Sequence, residues 1–281
     1  MTATALSFEL FPPKTDEQRE LLSRSVEQLR SYAPEYFSVT FGAGGSTLDY
    51  TVATVRQLRE REGLDAAPHL SCMGGTRAEI RALLQTYAEL GCKRIVALRG
   101  DLPSGMATPG EFAYAVDLVR FIRAEFGDAF RLEVAAYPEF HPQAVNADDD
   151  LRHFVEKCRA GADAAITQYF FNADAYFRFV DAVRAQGVDL PIVPGIMPIA
   201  NFSQLKRFSA MCGAEIPRWL DRRLSAMGDD ADAIRAYGAD AVAALCRRLL
   251  EGGAPGLHVY TLNRARATIA ILDRLGIQPA A

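Results

Sequence analysis

The chain has 281 residues, 49% of them hydrophobic and 23% charged, a composition that supports a sizeable core and one or two globular domains. A formal charge of −4 and a pI near 5.7 leave no broad basic surface and argue against a nucleic-acid partner. No apolar run reaches bilayer length and the opening MTATALSFEL lacks the layout of a signal peptide, so neither a membrane nor export is expected and the predicted location is the cytoplasm.

Taken in chain order, short apolar runs alternate with longer amphipathic stretches. Strand-like runs fall at 7–11, 36–41, 68–72, 94–98, 131–137, 164–169, 191–196 and 256–262. Helix-like stretches fall near 15–32, 47–62, 76–90, 110–126, 148–160, 173–186, 202–212 and 264–275. Thr76-x-x-Glu79 reads as a capping box and Asn172 as an N-cap, while Gly91, Gly161 and Gly187 stand where helices end. Eight strand-then-helix units predict an α/β protein with parallel strands, a (β/α)8 TIM barrel, with an open doubly wound sheet as the alternative. The segment 214–253 interrupts the rhythm between strands seven and eight, with helical pattern over 217–227 and 230–251. It reads as extra helices on a single catalytic domain spanning 1–281. The five cysteines are odd in number and scattered, without zinc spacing, which predicts reduced thiols.

In such a barrel the carboxyl ends of the strands carry the chemistry, so the residue each strand ends on is the informative one. Strand one ends near Glu9, strand two at Thr40, and strand three carries His69. Strand four stops abruptly in Arg99-Gly100-Asp101, a planar cation, a glycine open to close approach and a fixed acid; an ion pair capping a turn is the plainer reading. Strand five runs into Tyr137-Pro138-Glu139-Phe140-His141, strand six reaches Gln168, and strand eight ends at Tyr260 with Arg264 beyond. Burial disfavours the charged form of a carboxyl, which makes Glu9 a candidate general acid. Taken alone, His69 reads as a satisfied core histidine, and His141 could cap a turn or meet a phosphate. Gln168 calls for partners on its amide. The FGAGGST loop lacks both the P-loop Lys and dinucleotide spacing, so it reads as a tight strand-to-helix turn. Asp148, Asp149 and Asp150 suit the start of a helix.

These residues lie in blocks, SFELFPP, SVTFGAGGST, APHLSCMG, RIVALRGDLP, VAAYPEFHP, AITQYFF, PGIMPI and VYTLNRA, and in them the sequence resembles methylenetetrahydrofolate reductases along nearly its whole length. The resemblance implies a barrel holding FAD, reduced by NADH or NADPH and reoxidised by methylenetetrahydrofolate in a ping-pong cycle. By motif it makes Glu9 the general acid that opens the methylene bridge, Asp101 the acid that stabilises the cation and tunes the flavin, and Gln168 the amide that orients the folate. It assigns Thr40, His69, Arg99, Gly100, Asp101, Tyr114, Tyr137, His141, Asp150 and Lys157 to FAD, and Gln204, Phe208, Tyr260 and Arg264 to substrate. His153 and Glu156 depart from the amide or basic residues implied at the adenine end. The resemblance further implies the short bacterial form, a homo-oligomer without a regulatory domain. No ribose-reading acid follows a Rossmann strand, so NADH and NADPH are not separated.

Two other readings of the same residues stand beside it. Glu9, His69, Asp101 and His141 could ligate a divalent metal in a barrel lyase or hydrolase. A flavin or folate carrier without turnover would show the same rim.

Overall fold

The computed structural model describes residues 4–41, 45–100 and 110–280; Asp101 lies outside them. Strands β1 (Ala5–Leu10), β2 (Tyr36–Val39), β3 (Ala66–Ser71), β4 (Arg94–Leu98), β5 (Arg131–Ala136), β6 (Ala164–Thr167), β7 (Ile192–Val193), β8 (Gly195–Ile196) and β9 (Gly256–Tyr260) form one parallel sheet. Consecutive strands pair from β1 to β7, and β9 pairs with both β1 and β8. The expected strand 191–196 is therefore two pieces, divided at Pro194, whose ring nitrogen has no proton for a ladder bond. One piece bonds to β6 and the other to β9, and the Pro194 carbonyl accepts the His258 N–H at 3.0 Å. Chain continuity across Pro194 joins the two margins of the sheet, which is the barrel that the sequence predicts.

Helices α1 (Asp16–Arg30), α2 (Gly45–Arg56), α3 (Arg77–Glu89), α4 (Ala115–Phe126), α5 (Ala147–Arg159), α6 (Ala173–Ala185), α7 (Phe202–Cys212) and α10 (Ala265–Leu275) surround the strands. The inserted stretch forms α8 (Arg218–Ser225) and α9 (Ala231–Glu251), and α9 packs along α10. Thr76 and Glu79 make the reciprocal capping box, and the Asn172 side chain caps α6. Gly91, Gly161 and Gly187 follow their helices with positive φ. Helix α4 starts five residues later than the pattern 110–126 suggests. The Asp117 carboxylate accepts the N–H groups of Ala113 and Tyr114, which holds that stretch extended ahead of the helix.

Strand residues alternate between two environments. Leu6, Phe8, Leu10, Phe37, Val39, Leu70, Ile95, Val134 and Val259 belong to the large apolar cluster between strands and helices. Deleting such a fully buried ring as Phe8 costs about 3 to 5 kcal/mol. The barrel lumen holds a separate small cluster, Tyr36, Ala67, Val96 and Ile166 with Leu98 against it. Other inward positions, Ser7, Glu9, Ser38, His69, Glu133 and His258, are buried and polar. Most of the buried apolar surface therefore lies in the outer layer, and the lumen combines a small apolar cluster with polar groups.

Candidate active site

The mouth of the lumen is where the rim residues meet. Glu9 is the last inward side chain of β1, His69 points inward from β3, Tyr260 ends β9, and Thr40, Tyr137 and Gln168 stand one residue beyond β2, β5 and β6. With Phe208 of α7 they line a cavity of about 360 Å³. Its base is apolar, from Val96, Leu98 and Ile166, and Met197, Met211, Cys212 and Leu262 complete the walls. Such a site suits a flat, largely apolar ligand with a few polar edges.

Glu9, 7% exposed, is the acid of this cavity. Its Oε2 lies 3.5 Å from His69 Nε2 and 3.9 Å from His258 Nε2. Burial pushes His69 down to about 4, against the pull of Glu9, so the ring is neutral at neutral pH. Among the described residues His69 Nε2 is buried without a hydrogen-bond partner, a cost that a ligand atom would relieve. The turn after β9 fixes the backbone around Glu9. Thr261 Oγ1 donates to the Glu9 carbonyl at 2.6 Å, and the Asn263 side chain bonds both the N–H and the carbonyl of Phe11. Leu262 and Asn263 take φ values of 52° and 56°, which brings the Leu262 side chain into the cavity wall.

Tyr260 enters the cavity by its ring. Its hydroxyl donates to the Thr167 carbonyl at 2.6 Å, and burial, with Glu9 nearby, pushes the phenol well above its usual range. Gly195 makes the space: a Cβ there would stand 2.1 Å from the Thr167 oxygen and 2.7 Å from the Tyr260 ring. Gln168 Oε1 accepts the Tyr169 N–H at 3.0 Å, which leaves the donors of its amide for a ligand. The Tyr169 hydroxyl meets Ser209 Oγ at 3.0 Å and ties the β6 loop to α7. On α7, Gln204 is half-buried one turn before Phe208 but does not line the cavity, and exposed Arg264 caps α10 outside it.

The other predicted residues form a band leading away from the cavity across the β5–α5 side. Tyr137 meets His141 edge to face at 4.6 Å, and the His141 N–H donates to Asp150 Oδ2 at 3.0 Å. Arg99 donates to Gln143 Oε1, and the Gln143 N–H donates to His141 Nδ1 at 3.0 Å. Lys157 Nζ donates to the Ala135 carbonyl at 2.5 Å, and burial pushes the ammonium down to about 8 despite Asp150. Tyr114 stacks on His153 at 5.7 Å, and His153 lies 3.5 Å from both Asp149 and Glu156. Gly100 has φ +79°, and a Cβ on it would fall 1.8 Å from Ser71 Oγ, so only glycine lets β4 end this close to β3. A band with Arg99, Lys157 and a ring at each end suits an extended anionic ligand with a flat terminus.

The structure adds His258, Thr261, Asn263, Met197, Met211 and Cys212 to the site. His258 was legible in principle: it stands two residues before Tyr260, on the same inward face of β9. Met197 was legible in the same way: it stands one residue beyond β8, as Gln168 does beyond β6. Among the described residues, no three His, Cys, Asp or Glu side chains gather as a metal site. No described helix is long and apolar enough to cross a membrane.

The family model for methylenetetrahydrofolate reductase matches residues 1–276. The 5,10-methylenetetrahydrofolate reductases of Pectobacterium carotovorum and Escherichia coli K12 are each 42% identical over 274 residues, covering 98% of this chain and 91% of theirs. Methylenetetrahydrofolate reductase (NADH) 1 of Arabidopsis thaliana is 38% identical over 287 residues, covering 98% of this chain and 48% of that one. Among solved structures, a Clostridium thermocellum protein that binds two copies of 5-methyl-5,6,7,8-tetrahydrofolic acid superposes with a TM-score of 0.64 at 17% identity, covering 98% of this chain and 93% of its own. Dihydropteroate synthase from Xanthomonas albilineans gives 0.54 at 14%, covering 98% and 92%. At those identities the two structures establish the shared fold.

Proposed function

This chain belongs to the methylenetetrahydrofolate reductase family, and on that premise we propose how its own residues carry the reduction of 5,10-methylenetetrahydrofolate to 5-methyltetrahydrofolate. The cofactor we assign is FAD, reduced by NADH or NADPH, and the NADH in the name of the Arabidopsis relative favours NADH. The chemistry bound FAD supplies is two-electron transfer, received from the nicotinamide in one half-reaction and passed to the folate in the next.

The donor set fits that cofactor. The cavity base of Val96, Leu98 and Ile166 accepts a flat ring, and the orphan Nε2 of His69 faces where its polar edge would lie. Arg99, His141 and Lys157 suit the diphosphate and ribose, with Thr40, Gly100, Tyr114, Tyr137 and Asp150 completing the track. The Tyr114–His153 stack is the place for the adenine end.

Glu9 is the general acid in this reading. It gives its proton to the folate nitrogen whose bond to the bridging carbon breaks, which generates the iminium that accepts hydride. Its burial beside neutral His69, above the apolar base of Val96, Leu98 and Ile166, is the observation that carries the assignment. Asp101 is proposed to stabilise that cation by its negative charge, Gln168 to orient the pterin, and Phe208, Tyr260, Gln204 and Arg264 to hold the folate. We also propose that the chain works as a homo-oligomer, testable by light scattering.

Purified protein is expected to be yellow and to oxidise NADH with a suitable acceptor. A Glu9→Gln variant keeps flavin reduction by NADH and loses the folate half-reaction by about 100-fold or more, the range of a general acid. Equal loss in both halves removes Glu9 from this role. A colourless protein that neither takes up FAD nor reduces methylenetetrahydrofolate removes the whole reading.

A further inference from the structure

Helix α7 walls the cavity with Phe208, Met211 and Cys212, although few of its side chains are buried. The buried ones are Phe202, Leu205 and Ser209, a stripe at helical spacing with apolar anchors in the first half and a hydroxyl in the second. In the half that carries Phe208, the buried position is therefore polar. Ser209 is 6% exposed and does not line the cavity, and its Oγ lies 3.0 Å from the hydroxyl of Tyr169, itself 3% exposed. So little access to water makes the pair costly to break, because loss of one hydroxyl strands the other.

Tyr169 is a firm post for this bond. Its ring meets Phe171 at 5.9 Å and Tyr260 at 6.4 Å, both edge to face. Its main-chain N–H donates to Gln168 Oε1 at 3.0 Å. One residue thus ties down the Gln168 amide through its backbone and the α7 wall through its side chain, and Gln168 and Phe208 line the same cavity. The other ties nearby do not fix that wall. Lys206 pairs with Asp221 of α8 at 3.3 Å with both side chains about half exposed, where an ion pair adds little. The Glu215 N–H donates to Glu139 Oε2 at 2.8 Å, which holds the segment after α7 and not the helix itself.

On the reading of this cavity as the folate site, on which the assignment rests, we infer that Tyr169 and Ser209 are positioning residues of the reduction. Their hydroxyl pair sets the height of α7, hence the spacing between Phe208 and the Gln168 amide, and through that spacing the affinity for the folate held by both.

Tyr169→Phe keeps the ring and the main-chain bond to Gln168, and Ser209→Ala removes one oxygen outside the cavity, so each variant deletes the pair and little else. In stopped flow with the reduced, FAD-loaded protein, each is expected to raise the dissociation constant for methylenetetrahydrofolate about three- to tenfold, the scale of one hydrogen bond, and to lower the limiting rate by less. The double variant is expected to be no worse than the more affected single one, because both changes act through one bond. Without folate, iodoacetamide is expected to alkylate Cys212, the last residue of α7, faster in each variant by a similar factor, read by mass spectrometry. Should Tyr169→Phe fail to fold, Ser209→Ala carries both readouts. A dissociation constant unmoved in both variants, whatever their urea midpoints, marks a merely structural bond and overturns the inference. Losses that add in full in the double variant, or Cys212 rates equal to wild type, overturn it as well. A wild type that takes up FAD and does not reduce methylenetetrahydrofolate overturns the reading of the cavity itself, a failure that the Cys212 rates tell apart from a failure of the α7 bond.

Discussion

The hydroxyl of Thr261 donates to the main-chain carbonyl of Glu9 at 2.6 Å, so the turn that ends β9 also holds the strand that presents the proposed acid. The same turn grips Phe11 through Asn263, whose amide accepts at 2.9 Å and donates at 2.8 Å. Asn263→Gly keeps the backbone angle and loses both bonds, an expected cost of about 2 kcal/mol in urea unfolding. Asn263→Ala adds the left-handed penalty at φ 56° and is expected to cost about 1 kcal/mol more. Equal stability of the two variants would show that the turn is not strained.

Gly195 is where Tyr260 crosses the divided seventh strand. A methyl group at this point meets backbone and ring at once, 2.1 Å from the Thr167 oxygen. Gly195→Ala is expected to lower stability by about 3 kcal/mol or more, and Tyr260→Leu in the same chain to recover part of it, because the ring is the movable neighbour. No recovery in the double variant would place the whole clash on the backbone.

Lys157 titrates where few groups do. Its folded value is pushed down to about 8 from the ordinary 10.5 by burial, so between those values the unfolded chain binds the extra proton. Stability on this account is lowest while the ammonium is charged and rises as pH climbs from about 8 to 10.5. Wild type is therefore expected to gain on Lys157→Met across that window in urea titrations. A diphosphate beside Lys157 would favour the charged form, so FAD binding near pH 8.5 is expected to take up a fraction of a proton, about half or more, read by calorimetry in buffers of different ionisation enthalpy. Binding without proton uptake would move the diphosphate away from Lys157.

Thiol chemistry should single out Cys212. Burial pushes Cys72 and Cys246 up to about 12 and Cys92 and Cys158 up to about 11, which makes them poor nucleophiles, whereas half-buried Cys212 lines the cavity. Iodoacetamide is expected to alkylate Cys212 first and to slow the folate half-reaction. Methyltetrahydrofolate should protect against it, and Cys212→Ala should be resistant. Mass spectrometry showing equal labelling with and without the folate would place the folate elsewhere.

Local physics was enough for the sequence to determine the alternation of strands and helices, the capping at Thr76 and Asn172, and the polar residues at the strand ends. Each depends on neighbours a few positions away, and the strand period of two already places Glu9, Thr40, Gln168 and Tyr260 toward one mouth. Only the tertiary structure decided that strand seven divides at Pro194, that Asp117 delays α4, that Arg99, Gln143, His141 and Asp150 join in one hydrogen-bonded band beside the cavity, and that His258 stands under Glu9. Ser7 and His258 are 251 residues apart, and Tyr36 and Glu133 are 97 apart. Their contacts exist because closing the sheet brings the last strand against the first and turns every second side chain into one lumen, a condition of the whole ring that no single stretch of chain records.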